Sequence, residues 1–347
     1  MASDDEALRA AHPPYRRILR WAAVLLLGFL ALSGVAALSS NLDAVLAALA
    51  QISFAQVLGL LALASAAFTL RTLRWLLYSR AQGVRVPLAD NALVYLGGFA
   101  LGATPGRVGE VVRLFLLRRG WGYPYRRTAP LLIADRLNDI NTLALLMVVG
   151  ISYVLQEAAL ILLALALVVG LNLALRFPAP LLRMVGALHL ASGRRKPRLA
   201  AAMRRLLRRV SGTFAPGTQL AASLLSLLAW GAECTSLYWI LDSLATSTGT
   251  GTGTGIDIRA AFAIHATASL VGALSMLPGG LGGFEATCLA LLLWQGVPAP
   301  EAVVATAVLR VTTFWYSLLL GMPALAWAGV RITAAARMEA TRAARGD

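Results

Sequence analysis

Charge is scarce in this 347-residue chain. Asp, Glu, Lys and Arg together make up 14% of it, where a soluble globular domain carries about a quarter. With 59% hydrophobic residues and a mean hydropathy of +0.72, that shortage excludes an ordinary soluble fold. Lysine is almost missing: Lys196 is the single one, and Arg supplies the rest of the 31 basic residues. Histidine is limited to His12, His189 and His265, in unrelated settings, so no metal site is expected. The two cysteines, Cys234 and Cys288, lie in apolar segments without a spaced partner and read as buried free thiols rather than a disulfide framework. The chain has no Walker A loop and no nucleophile–base pair. Neither enzyme activity nor a cofactor is expected.

Long apolar runs are plentiful instead. They are Trp21–Leu38, Phe54–Tyr78, Leu88–Ala103, Val108–Leu117, Ala129–Leu155, Ala158–Leu175, Leu220–Leu241, Ile258–Leu277, Phe284–Trp294 and Ala302–Val330. About 18 to 20 apolar residues cross a bilayer as a helix. The first run follows Arg16, Arg17 and Arg20 and resembles a signal peptide, but no clear cleavage site follows it, so it reads as an uncleaved first span. Two runs are too short to cross, Val108–Leu117 and Phe284–Trp294. Each follows a break: ATPGRVGE at 103–110, containing Pro105 and Gly106, and LPGGLGGFE at 277–285, containing Pro278, Gly279, Gly280, Gly282 and Gly283. Pro removes a backbone donor and Gly permits positive φ, so both stretches stop a helix. Backbone freed at membrane depth must be buried in protein or face a wet cavity. Two re-entrant hairpins are the economical solution.

The net charge of +15 could signal nucleic acid, but the basic residues sit in the short segments between apolar runs, as the positive-inside rule requires. No nucleic-acid partner is expected. With a cytoplasmic N-terminal tail at 1–20, every strongly basic loop falls inside, including the loop at 177–217 with Arg183, Arg194, Arg195, Lys196, Arg198, Arg204, Arg205, Arg208 and Arg209. The Thr-Gly tract within 242–257 falls outside, and the tail at 332–347 falls inside. The expected fold is therefore all-α: one transmembrane domain over 21–331, a polytopic bundle of about six full spans plus two inverted hairpins. Segment 194–209 reads as a basic amphipathic helix on the anionic leaflet, or as a plain topology anchor.

The breaks head a hidden repeat. After Pro105 come Glu110, Gly120 and Arg136; after Pro278 come Glu285, Gly296 and Arg310, with Pro-to-Arg separations of 31 and 32 residues. Three expected spans lie between them, so the second copy points the opposite way. Transporters place broken helices in corresponding positions of two inverted halves, with the substrate site between them.

Ionisable residues inside the expected spans are costly and count as functional candidates. Arg107, Glu110 and Arg113 are spaced by three, as are Arg136 and Asp139 beside Asp135. That spacing allows local pairs. The arginines outnumber nearby carboxylates, and the surplus charge calls for a lipid phosphate, which a guanidinium binds in bidentate fashion. Arg71 and Arg74 serve either that role or snorkel to the interface. His265 and Glu233 read as satisfied helix–helix contacts.

The motifs RTLRW at 71–75, TPGRVGEVVR at 104–113, ADRLND at 134–139 and LPGGLGGFE with the later Arg310 resemble the lysylphosphatidylglycerol synthase transmembrane family. The likeness spans about 54–330. In bifunctional members, such a domain moves an aminoacylated phospholipid made by a following soluble domain. Here the sequence ends soon after the last span, so the resemblance implies a stand-alone lipid translocase, not a synthase.

The expected site comprises Arg107, Arg113, Arg136 and Arg310 as phosphate ligands. Glu110, Asp135, Asp139 and Glu285 orient them, or accept a cationic headgroup or a proton. The expected location is a bacterial cytoplasmic membrane, and the expected partners are membrane lipids. Two rivals stay open: an accessory subunit of a lipid- or glycan-modifying enzyme, and a secondary transporter of a small anion. Oligomeric state stays open too.

Overall fold

The computed structural model describes residues 27–28, 42–104, 108–155, 157–191, 197–247 and 256–345. All regular elements among them are helices. The expected first span apart from Leu27 and Gly28, Pro105, Gly106 and Arg107, residues 192–196 and most of the Thr-Gly tract lie outside the described residues.

A short helix, α1 (Leu42–Ala50), precedes the first long one, α2 (Phe54–Ala81). The sequence reading did not anticipate α1. The α2 helix starts where the Ser53 hydroxyl accepts from the Gln56 N–H at 3.2 Å, which satisfies one of the orphan donors of the first turn. After it come α3 (Leu88–Gly97) with a 3-10 extension (Gly98–Leu101), a 3-10 turn (Val108–Val111), and α4 (Val112–Trp121). The chain then forms α5 (Tyr125–Leu155), α6 (Ala158–Arg176), α7 (Ala179–Ala191), α8 (Pro197–Thr213) and α9 (Pro216–Ser247). The second broken segment is α10 (Ile258–Leu274) followed by α11 (Gly283–Trp294). Finally α12 (Ala299–Arg310) runs through a π-helical turn (Val311–Trp315) into α13 (Tyr316–Arg345).

Three helical stretches among the described residues are long and apolar enough to cross a membrane: Phe54–Ala81, Pro216–Leu244 and Ala299–Arg331. A fourth candidate is a bent pair, Ile161–Arg176 with Ala179–Ala191, whose axes differ by 77°. On α6, Leu162, Leu163, Leu167, Val169 and Leu173 are all exposed, Leu162 at 70%. A water-soluble surface would not carry such a band, whereas a lipid-facing one does. The expected basic segment at 177–217 contains two helices, α7 and α8; α8 overlaps the expected amphipathic helix at 194–209, and it is anchored where Val210 and the following Phe214 enter the core. The expected C-terminal tail likewise begins as a continuation of α13, which stays helical to Arg345.

Among the described residues, the two largest core clusters each lie at one of the two breaks. One cluster surrounds the first break and includes Trp75, Tyr78, Tyr95, Phe99, Leu117 and Leu131. The other surrounds the second and includes Leu237, Ala261, Phe284, Leu292 and Leu309. The α2 helix packs along α9, α10 packs against α5 and α11, and α13 packs against α3 and its 3-10 extension.

The repeat needs one correction. Gly120 lies inside α4; the residue that ends the helix in the left-handed conformation is Gly122, at φ 69°. Its counterpart is Gly296, at φ 84° just after α11. A side chain there would meet the Cβ penalty that glycine escapes. With that register, each Gly stands 14 residues before its Arg.

Candidate functional site

The first broken segment opens onto a buried ionic cluster fed by α2, the 108–111 turn, α4 and α5. Arg74 is fully buried. Its Nη2 and Nε donate to Asp135 Oδ1 at 2.7 and 3.1 Å, and its Nη1 to Asp139 Oδ1 at 2.8 Å and to the Ser226 hydroxyl of α9. Arg113, also fully buried, has Nη1 3.0 Å from Glu110 Oε2 and 3.7 Å from Asp135 Oδ2. Its Nε donates to the Tyr95 carbonyl of α3 at 2.9 Å, and the guanidinium lies 4.1 Å from the Tyr95 ring centroid. Arg113 thus holds α4 against α3 below the break. Arg136 Nη2 lies 2.5 Å from Glu110 Oε2, and its Nη1 lies 3.4 Å from Asp139 Oδ2. Trp230 of α9 closes the cluster with Nε1–H donated to Asp139 Oδ1 at 3.0 Å.

The sequence expected positive charge to be left over. Among the described residues, the structure instead sets three guanidinium groups, Arg74, Arg113 and Arg136, against three carboxylates, Glu110, Asp135 and Asp139. Stranding a buried charge is costly, and the fold avoids it by converging residues distant in sequence. Arg136 is the exception to full burial: its side chain keeps 31% of its surface. Its closest partner is Glu110, not the local Asp139. Arg74 was missed as a member of this site. The signal was present in its three-residue spacing from Arg71, but spacing alone does not separate a buried arginine from a snorkelling one.

The second broken segment has a simpler version. Arg310 Nε donates to Glu285 Oε1 at 2.6 Å, and Nη2 donates to the Gly279 carbonyl at 3.0 Å. Glu285 Oε2 accepts the Gly282 N–H at 2.7 Å, which caps α11. The guanidinium lies between the rings of Phe284 and Phe314, 4.7 and 4.5 Å from their centroids. Gly279, Gly280 and Gly282 all have positive φ. At Gly279 a Cβ would fall 2.3 Å from Phe314 Cζ, so the ring and the turn fit only without a side chain.

Phe314 joins the two breaks. It packs with Ala103, at the edge of the first, and against Gly279 in the second. It sits in the π-helical turn that directly follows Arg310. Such turns occur often at functional sites.

A third group bridges the halves. Arg71 Nη1 lies 2.5 Å from Glu233 Oε1, and His265 Nε2 lies 3.6 Å from Glu233 Oε2. Neither His265 ring nitrogen makes a hydrogen bond, so this histidine is not the satisfied contact expected. A cleft of about 580 Å³ lies away from these groups, where α2 turns into α3, lined by residues including Arg80, Arg85 and Asn91.

Residues 19–321 match the family described as lysylphosphatidylglycerol synthase TM region. The chain belongs to that family. Within it, the chain is similar to a UPF0104 membrane protein of Pyrococcus horikoshii, 26% identical over 253 residues, covering 66% of this chain and 73% of the relative. A UPF0104 membrane protein of Methanothermobacter thermautotrophicus is 36% identical over 98 residues, covering 28% of this chain and 27% of the relative. That match spans little more than a quarter of the relative's length. This member of the TM-region family has, among the described residues, the helical and apolar character of a membrane protein.

Proposed function

We propose that the chain moves a phosphate-bearing lipid across a bacterial cytoplasmic membrane, without ATP, along a polar track between its two broken segments. The observation that carries this reading is the matched pair of buried ionic contacts, Arg136 with Glu110 and Arg310 with Glu285, at 2.5 and 2.6 Å. They stand at equivalent places after equivalent helix breaks. In this reading the topology is six full spans with two inverted re-entrant hairpins and both termini cytoplasmic. The protein is a carrier rather than an enzyme, and its partners are membrane lipids.

Glu110 is the pivot. Its Oε2 is shared by Arg113 and Arg136. An arriving phosphate competes for Arg136, whose side chain is the most accessible of the three. It offers two acceptor oxygens to a guanidinium, the geometry that favours Arg over Lys. Phosphate entering as Glu110 turns away keeps the cluster's charge matched at each stage. The chemistry fits a phospholipid or a polyprenyl phosphate equally.

The ion pairing among the described residues also favours a second reading. Paired buried charges suit a non-transporting subunit that holds or presents a lipid to a modifying enzyme. Reconstitution into liposomes with fluorescent phospholipids, followed by membrane-impermeant quenching, tests between them. Quenching beyond the outer-leaflet half supports movement. Protection of the inner-leaflet half at every headgroup tested, with correctly folded protein, sinks the translocase reading.

A further inference from the structure

The Arg71–Glu233–His265 group has no part in the lipid track described above. Its three side chains come from three helices, α2, α9 and α10, and it sits where the two ionic clusters approach each other. Trp230 touches both sides of that seam. Its N–H goes to Asp139 at 3.0 Å, its ring lies 4.2 Å from the Arg71 guanidinium, and it stands 6.2 Å from the His265 ring. On its other side, His265 meets the edge of Phe284 at 5.8 Å, and Phe284 supports Arg310. The contact chain from Asp139 to Arg310 therefore passes through His265.

His265 is 2% exposed, and both ring nitrogens lack a hydrogen bond. Buried polar groups are almost always paired, and an orphan asks for an explanation. The nearest acceptor, Glu233 Oε2, stands at 3.6 Å, just beyond hydrogen-bond range. Arg71 holds the other carboxylate oxygen at 2.5 Å and keeps two donor nitrogens of its own unpartnered. With a neutral imidazole the group is a neutral Arg–Glu pair beside an idle base. One more proton would give His265 a charge that Glu233 is placed to hold.

We propose that His265 and Glu233 form a proton-binding site, and that its occupancy couples protons to the movement proposed above. A proton from water adds to an imidazole nitrogen, and no bond other than N–H forms. The imidazolium and Arg71 then share the Glu233 carboxylate, which shifts the Trp230 and Phe284 rings that support the two clusters. The charged groups facing His265 are Glu233 and, behind it, Arg71. Asp139 stands beyond Trp230, and Arg310 with Glu285 stand beyond Phe284. The Cys234 thiol of α9 points to the Phe262 carbonyl on α10. Histidine is the side chain suited to this task near neutral pH.

The site can be read without transport. The chain has three histidines, so ring signals of 15N-histidine-labelled protein in nanodiscs are few, and His265→Gln assigns the one of interest. The expected result is a His265 ring signal that changes with pH, and that changes differently in Glu233→Gln. If Glu233→Gln does not fold, Arg71→Gln serves, with a difference of opposite sign. A His265 signal that does not move with pH, or that moves alike in a folded variant, overturns the site.

Liposomes carrying a pH gradient test the coupling, which rests on the lipid-movement reading. The expected result is gradient-dependent movement that His265→Gln makes indifferent to the gradient. Movement indifferent to the gradient in the unaltered protein overturns coupling and leaves the carrier reading intact. If no lipid moves under any condition, the carrier and its coupling both fall, while the titration still decides the proton site.

Discussion

Arg310 Nε stands 2.6 Å from Glu285 Oε1, and the other oxygen of Glu285 caps the N–H of Gly282. One arginine thereby fastens a helix start, and through Nη2 it also fastens the Gly279 carbonyl of the turn before it. Its role in holding the break and any role in meeting a lipid fall on the same guanidinium. The two are separated by what happens when its partner is removed as well.

Arg310→Ala should lower the folded yield, because it strands a buried carboxylate, at a cost of about 3 to 5 kcal/mol. Adding Glu285→Gln should restore much of the yield, since no charge is then unpaired. Lipid movement should stay lost in the double variant. Movement restored along with folding would remove Arg310 from the proposed track. Monodispersity on gel filtration and the liposome assay provide the two measurements.

Arg136→Ala should behave differently from Arg74→Ala. Arg136 is partly exposed, and Arg113 remains to hold Glu110, so the protein should fold and lose lipid movement. Arg74 is the fully buried partner of both Asp135 and Asp139. Its removal should lower the melting temperature in detergent far more than removal of Arg136 does. Equal melting shifts for the two would contradict the difference in burial.

Gly279→Ala should destabilise the second break, since a methyl there meets the Phe314 ring in a backbone conformation of φ 64°. Pairing it with Phe314→Leu should relieve the collision and leave the backbone strain, recovering part of the melting temperature. Full recovery would show that the positive φ costs little there.

The proposed topology predicts which surfaces meet each aqueous phase. Cys234 and Cys288 are both buried, so they give low background for an impermeant thiol reagent. A cysteine at Asp257 should react in intact cells, and one at Arg209 only after lysis. The reverse pattern would overturn the cytoplasmic placement of the termini, and both on one side would end the inverted arrangement of the breaks.

Several features are legible in the sequence alone. Apolar run length alone marks a membrane protein, because a bilayer sets a length that local sequence must meet. The break at 277–285 could be read from Gly and Pro, and the matched spacing put Glu285 and Arg310 at places corresponding to Glu110 and Arg136. These are short-range or repeated patterns, and such patterns survive in one dimension.

What the tertiary structure decided is the charge balance. Spacing of three suggested that Arg136 would hold Asp139, yet Glu110, from before α4, is its closest partner. Arg74 could have been a phosphate ligand or an interface anchor, and the closure of α5 and α9 over it made it a buried ion-pair partner instead. His265 and Glu233 looked satisfied, and the fold left the imidazole without a hydrogen bond. Sequence by itself determined which residues are too costly to face lipid unpaired. Only packing between distant helices decided which opposite charge each one found, because a buried ion chooses its partner by three-dimensional proximity and not by its place along the chain.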